Sequence, residues 1–419
     1  MLFLTILISP FVFIEPSPYE AAAAILGFIC IVARVTVDRR LLPFILLLTL
    51  WIVGGLIALI PVVYKDKTIQ FAAVSVFLAF TAFMYACLFT QDCMRRLALV
   101  RGAYIVAGTI VAAIGIVGYF EVFSGAGTMF LEAGRAKGTF KDPNVFGPYL
   151  IFPILLLLHR LLNGRIGFLV VPLLIMLLAL FLSFSRGAWF HFVLSAGIVV
   201  GLTFVTATSL RERFRLIAMV VIAFAICFAL AIVLLSFDAV GNMFAERAKL
   251  LQSYDEGTNQ GRFFLQAVAV DAILEFPLGL GPFEFSARYG TQQHNVYLQA
   301  FLVYGWFGGL SYLVLVLLTL ALGLRSVFVA TPWRPVMIVC VATFAGVAAE
   351  GIVIDTDHWR HFFLLLGMIW GLSIATLNFA HEERQQMTML GRRNGPQRKP
   401  GRSRRRRPPT RALAREHRD

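Results

Sequence analysis

The sequence predicts an all-α polytopic membrane protein, a single bundle of about twelve transmembrane helices. Two observations lead to this fold class. The chain has 419 residues, of which 59% are hydrophobic and 14% charged, and its mean hydropathy is +0.80. Apolar runs long enough to cross a bilayer also recur along it. These features exclude a soluble globular domain.

A transmembrane helix needs about 20 apolar residues. The candidate spans are residues 2–14, 20–33, 41–63, 68–90, 97–120, 144–161, 166–183, 188–208, 216–236, 296–324, 335–352 and 361–379. The first is short for a full crossing. It has no basic n-region and no cleavage site, so it is interpreted as a retained helix rather than a signal peptide.

Lys and Arg concentrate in alternate connecting segments and after Ala380. Because cytoplasmic loops retain basic residues, both termini are predicted to be cytoplasmic. Residues 1–380 then form the transmembrane bundle, and residues 237–295 form a periplasmic helical segment between helices 9 and 10. Residues 381–419 are predicted to be a disordered polybasic tail that lies against anionic membrane lipids, rather than binding nucleic acid.

Several cations remain on the predicted periplasmic side, where the topological rule disfavours them. Nearby carboxylates can neutralise most of these, but Arg186 has no acidic residue in its own loop. Cations in such places indicate an anionic ligand.

Three helices are predicted to begin on that side, near Asn144, Gly187 and Val296, with Asp142 and Ser185 as N-caps of the first two. Helix N-termini favour anions, and arginine binds phosphate in a bidentate manner. A diphosphate at the membrane surface fits these features best. No nucleotide is expected there, so a polyprenyl diphosphate is the predicted ligand.

His294 is the histidine of the 237–295 segment. A neutral imidazole can take a proton from an acceptor hydroxyl, as glycan transfer from a diphosphate requires. A lone histidine is more often a hydrogen-bonded interface residue. Its position beside Asn295, with periplasmic arginines available, favours catalysis.

These patterns together resemble the O-antigen ligase and O-antigen polymerase superfamily of bacterial inner-membrane glycosyltransferases. The resemblance covers about residues 130 to 310. It rests on the segment Arg135 to Asn144, the turn Ser185-Arg186-Gly187, the pair Gly261-Arg262, and His294-Asn295 followed by Gly305 and Gly308.

The resemblance implies a GT-C-like, metal-independent enzyme without a cofactor, which takes a glycan from undecaprenyl diphosphate on the periplasmic face. His294 matches the catalytic histidine, and Arg186 and Arg262 match the diphosphate-binding arginines. The acceptor is a lipid A core sugar in ligases and a second carrier-linked repeat unit in polymerases. Both remain open, with ligase slightly favoured. Possible further substrate-binding residues are Arg135, Lys137, Asp142, Asn144, Asn295 and Arg288.

The loop from Glu350 to His361 contains Asp355, Asp357, His358 and Arg360. It is interpreted as a hydrated turn with Asp357 paired to Arg360. A divalent metal site or a contact with the acceptor sugar are the alternatives.

Two functions of other classes also fit the sequence. One is a transporter or flippase of lipid-linked glycans, although the apolar spans are nearly free of charge. The other is a non-catalytic assembly subunit.

Overall fold

In a computed structural model, residues 1–13, 16–62, 65–164, 167–247 and 261–393 are described, and they are mostly helical. A short antiparallel pair, β1 (Leu131–Glu132) and β2 (Arg135–Ala136), lies between α6 and α7. The helices are α1 (Leu2–Leu7), α2 (Pro18–Val32), α3 (Leu42–Ala58), α4 (Lys65–Phe89), α5 (Cys93–Tyr119), α6 (Ala126–Phe130), α7 (Pro143–Leu162), α8 (Val170–Leu182), α9 (Arg186–Thr206), α10 (Leu210–Leu235), α11 (Asp238–Arg247), α12 (Arg262–Glu275), α13 (Glu284–Tyr289), α14 (Val296–Val327), α15 (Arg334–Glu350) and α16 (Arg360–Arg393).

The predicted fold class, an all-α membrane protein, is confirmed. Within the described residues, seven helices are long and apolar enough to cross a membrane. They are Arg39–Ala58, Asp66–Phe89, Cys93–Tyr119, Pro143–Leu162, Arg186–Thr206, Val296–Val327 and Arg360–Met387. The total of twelve spans stays a prediction.

The first predicted helix, residues 2–14, is shorter in the structure than predicted. α1 is six residues long, which corresponds to about 9 Å. After it, the chain pairs with the segment before α7: the Val12 N–H donates to the Thr139 carbonyl at 3.3 Å, and the Thr139 hydroxyl donates to the Pro10 carbonyl at 2.6 Å. These contacts hold residues 10–12 in a non-helical conformation.

Residues 1–377 form one compact unit. α16 continues to Arg393, so the beginning of the predicted disordered tail is helical. The remainder of that tail lies outside the described residues, as do positions 248–260 of the predicted periplasmic segment.

The helix starts predicted from capping residues agree with the structure. α7 begins at Pro143, and its N-cap Asp142 accepts a hydrogen bond from the Asn144 N–H at 2.7 Å. α9 begins at Arg186, and its N-cap Ser185 accepts from the Ala188 N–H at 3.3 Å. Local side-chain chemistry therefore fixes where two of the candidate site segments begin.

The starts of α9 and α14 lie at the end of α15. The Val296 N–H donates to the Gly351 carbonyl at 2.8 Å, and the Tyr297 hydroxyl donates to the Ala348 carbonyl at 2.6 Å. On the other side, a Cβ at Gly187 would lie 2.8 Å from Oε1 of Glu350. The end of the bundle where these three helices meet is called the junction below.

Candidate active site

One polar cluster joins the segment before α7 to the start of α9. The Arg135 guanidinium donates from Nε to the Ser183 carbonyl at 3.0 Å and from Nη2 to Oδ1 of Asn144 at 2.7 Å. The Ser185 hydroxyl donates to the same oxygen at 2.9 Å. Asn144 thus fixes the turn that precedes Arg186, which is consistent with a role in positioning that arginine.

The two predicted diphosphate-binding arginines each begin a helix. Arg186 is the first residue of α9 and is half-buried. Arg262 is the first residue of α12, but its side chain lies outside the described residues. The position of the Arg262 guanidinium relative to Arg186 therefore stays a prediction.

His294 faces a carboxylate that the sequence interpretation had not assigned to it. Its Nδ1 lies 3.6 Å from Oδ2 of Asp355, slightly beyond normal hydrogen-bond distance. Its backbone φ is +49°, a left-handed conformation that is uncommon for a residue with a side chain. The imidazole is 46% exposed, whereas the carboxylate is 22% exposed. The accessible imidazole of His294 therefore lies next to the less accessible carboxylate of Asp355.

Burial raises the pKa of Asp355 above its usual value, and its contact with His294 acts in the opposite direction. The other oxygen, Oδ1, is buried without a hydrogen-bond partner among the described residues. An imidazole next to such a carboxylate can accept a proton from a hydroxyl while the carboxylate stabilises the charge that results.

The same loop carries a second histidine–aspartate pair. Nδ1 of His358 lies 3.2 Å from Oδ2 of Asp357, and its Nε2 lies 3.1 Å from the Ser75 hydroxyl. The Tyr304 hydroxyl also donates to Asp357, at 3.2 Å. Ser75 is a buried residue in the interior of a helix, so these contacts support the loop rather than supplying a nucleophile.

The predicted pairing of Asp357 with Arg360 is wrong. Arg360 instead donates from Nη2 to Oε1 of Glu20 at 2.5 Å and from Nη1 to the Ser9 carbonyl at 3.2 Å. It begins α16 and faces the α1–α2 segment, whereas Asp357 contacts Tyr304 of α14. In the described part of the chain, no group of three or more His, Cys, Asp or Glu could hold a metal ion.

The remaining predicted residues lie apart from one another. Asn295 is the N-cap of α14 and accepts hydrogen bonds from the Tyr297 and Leu298 N–H groups at 3.0 and 3.2 Å. The exposed Arg288 guanidinium lies 4.9 Å from the centre of the Phe276 ring.

Lys137 is half-buried beside the β1–β2 pair, and its N–H donates to the Phe130 carbonyl at 2.9 Å. Its place in a substrate site stays a prediction.

A buried pair at the junction was missed. Nδ1 of His191 lies 2.9 Å from Oε2 of Glu350, and both side chains are at most 1% exposed. Ionisable residues within apolar spans are a recognised sign of function. His191 and Glu350 can both be identified from the sequence as residues of this kind. They belong to α9 and α15, the helices that lead to Arg186 and to the Asp355 loop.

Comparison with known proteins gives one family match. Residues 171–313 match a family model described as O-antigen ligase. No curated protein gives a significant match to the chain. The matched region includes α9 with Arg186, the start of α12, and His294 with Asn295. Over residues 171–313, this match supports the resemblance to the O-antigen ligase and polymerase superfamily that the sequence motifs indicate.

Proposed function

We propose that this protein is a bacterial inner-membrane glycosyltransferase that moves a glycan from undecaprenyl diphosphate to an acceptor hydroxyl at the periplasmic face. The His294–Asp355 contact is the observation that carries the proposal. It gives the histidine predicted to be catalytic a carboxylate partner, which can orient the imidazole and stabilise its protonated form. The family match supports the reaction class.

In the proposed reaction, His294 removes the proton from the acceptor hydroxyl, whose oxygen attacks the anomeric carbon of the donor sugar. The bond between that carbon and the diphosphate oxygen breaks, and undecaprenyl diphosphate leaves. Arg186 and Arg262 stabilise the charge that grows on the leaving group. No step of this reaction requires a metal or a cofactor.

The junction supports a common location for these groups. Gly187 packs against Glu350, and the next residue, Gly351, bonds to Val296 two positions after His294. The start of α9, with Arg186, and the start of α14, preceded by His294, therefore lie at the same end of the bundle. We place this end on the periplasmic side because the opposite connecting segments contain most of the Lys and Arg.

The acceptor that we favour is a lipid A core sugar, as in O-antigen ligases. A carrier-linked repeat unit, as in O-antigen or exopolysaccharide polymerases, is the alternative. The family match fits both.

The direct test uses His294→Ala and Arg186→Ala in membranes supplied with the lipid-linked donor and acceptor. Both variants should insert normally and lose transfer. Arg211→Ala is a matched control, because that side chain is exposed and follows the end of α9 opposite to Arg186. Product at the wild-type level from both site variants would refute the proposal.

Liposomes that contain the purified protein separate transfer from transport. Movement of the donor between leaflets without cleavage of its glycosyl bond would support a flippase. Cleavage that depends on the acceptor would support the transferase.

A further inference from the structure

A cleft of about 760 Å³ opens beside α4, away from the motif residues. Arg186 and His294 are not among the described residues that line it, whereas the predicted substrate-binding residue Asp142 is. With the exception of Phe283, its lining residues lie outside the family-matched region. Its size and largely apolar walls are typical of ligand pockets, which usually measure about 300–1,000 Å³.

The cleft is long. Its lining on α4 extends from Lys67 to Tyr85, which are 18 positions apart (85 − 67) and thus separated by about 27 Å along the helix axis.

One wall of the cleft is an apolar stripe of α4. The stripe consists of Ala73, Val74, Phe77 and Leu78, whose i, i+1, i+4 and i+5 positions lie on one side of the helix. Val74 is 37% exposed, so this apolar surface is accessible. Nonpolar ligand surface would be favourably buried against it.

The mouth of the cleft is polar and lies at the start of α16. Among the described lining residues, three cations lie there, Lys67, Lys141 and Arg360, together with the carboxylates of Glu20 and Asp142. α16 directs the N-terminal end of its dipole to this point, which favours an anion.

His361 gives an independent indication of a polar ligand. Its side chain lines the cleft and is 5% exposed, and its Nε2 has no hydrogen-bond partner within the described part of the chain. Buried polar atoms are normally paired, so an unpaired one in a cleft indicates a ligand group or water at that place.

We propose that the α4 cleft binds a lipid with a phosphate head, a polyprenyl phosphate or diphosphate. The phosphate lies at the start of α16 near His361, Lys67 and Lys141, and the chain lies along the α4 stripe. The choice of a polyprenyl chain rests on the proposed function.

The loop with the two aspartates separates this site from the motif residues. Asp355 faces His294, and Asp357 faces His358, which lines the cleft. The lipid in the cleft is therefore either the glycan donor, with its head reaching past this loop, or a second carrier that presents an acceptor.

The test measures labelling of the full-length protein in nanodiscs by a photoreactive undecaprenyl phosphate, followed by peptide mapping. Ala73→Trp and Val74→Trp fill the cleft, and each should reduce labelling of cleft peptides at least about fivefold. Ile69→Trp is the matched control, since Ile69 is on α4, is 62% exposed and does not line the cleft. It should label like the wild type.

Two results would overturn the proposal: wild-type labelling of both cleft-filling variants, or equal competition by unlabelled undecaprenyl phosphate and a diacyl phosphatidylglycerol. His361→Phe should weaken labelling through loss of the polar contact.

Arg186→Ala distinguishes the two roles that the lipid in the cleft could have, glycan donor or second carrier. If its labelling is retained, the cleft holds a second carrier. If its labelling is lost, the cleft holds the donor.

The binding measurement does not depend on catalysis. His294→Ala should retain labelling, and its transfer activity reports separately on the proposed function. Labelling of an inactive His294 variant together with loss of labelling in Ala73→Trp would support the cleft site even if the acceptor were unknown.

Discussion

His191 and Glu350 join α9 to α15 through a buried contact of 2.9 Å between Nδ1 and Oε2. Nε2 of the same imidazole lies 3.1 Å from the Thr343 carbonyl, which can only accept, so Nε2 carries a hydrogen. A second proton is then shared between Nδ1 and the carboxyl group. The pair ties the helix that begins with Arg186 to the helix that leads into the Asp355 loop.

Replacing Glu350 with Ala should therefore destabilise the protein substantially. Loss of one partner from a buried pair costs about 3–5 kcal/mol, because the other is left without compensation. Glu350→Gln retains a hydrogen-bonding group next to His191 and should cost clearly less. The measurement is the apparent melting temperature of the detergent-purified protein, and equal melting of Glu350→Ala and wild type would contradict the assignment.

Asp355→Asn should separate stability from activity. Burial raises the pKa of Asp355, so the folded state keeps this proton to a higher pH than the unfolded chain does. The contribution of Asp355 to stability is therefore present at low pH and lost as the pH rises through the raised pKa. Asn does not titrate, so the melting temperature of wild type relative to the variant should fall from acidic pH to pH 8.

The transfer activity of Asp355→Asn should be lower than that of wild type at pH 8, where the variant gains in relative stability. Asn cannot stabilise a protonated His294, so we expect transfer at pH 8 to fall about tenfold or more, by analogy with carboxylates that orient catalytic histidines. Unchanged transfer by Asp355→Asn, in a variant that melts normally, would show that the His294–Asp355 contact has no role in the reaction.

Much of the fold could be predicted because bilayer crossing and helix capping are local properties. The starts of α7 and α9 agree with the predictions to within a residue, since Asp142 and Ser185 cap them. α1 was predicted too long because its neighbours are apolar, whereas the pairing of residues 10–12 with Thr139 depends on a segment far along the chain.

The candidate site was predicted less completely, because its contacts also join residues that are far apart in the sequence. Motifs locate Arg186 and His294, but the carboxylate partner of His294 lies 61 positions away (355 − 294) in a loop with several acidic residues. Sequence spacing favoured the pair Asp357–Arg360. In the structure, Arg360 pairs with Glu20 and Asp357 pairs with His358, because the loop runs between two different helix surfaces.

Asn144→Ala should impair the turn that carries Arg186. Its Oδ1 accepts from both Arg135 and Ser185, so the substitution removes two hydrogen bonds. Hydrogen bonds from a charged group typically contribute about 1.5–3 kcal/mol, and neutral ones about 1 kcal/mol. We expect a higher KM for the lipid-linked donor, with a smaller change in kcat, measured in purified membranes.

Asn144→Asp is the matched control for that experiment. A carboxylate at this position still accepts from Arg135 and from the Ser185 hydroxyl. Its KM should stay near the wild-type value, and a KM as high as that of Asn144→Ala would assign the effect to the amide group itself.

Gly305→Ala tests whether the kink in α14 positions the histidine at its start. Gly305 has φ +64° and ψ −174°, a conformation essentially restricted to glycine, and an added Cβ would lie 2.7 Å from the Leu278 carbonyl carbon and oxygen. The backbone strain alone costs about 1–3 kcal/mol. α14 must then straighten or move away from residue 278, which displaces its first turns together with Asn295 and His294.

We expect Gly305→Ala to lower both the melting temperature and the transfer rate. Gly201→Ala is the matched control, because Gly201 lies within α9 and an added Cβ there meets nothing within 4 Å. In a helix interior, alanine is favoured over glycine by about 0.5–1 kcal/mol, so this control should melt at the same or a higher temperature. If Gly305→Ala matched Gly201→Ala in both measurements, the kink would have no part in placing His294.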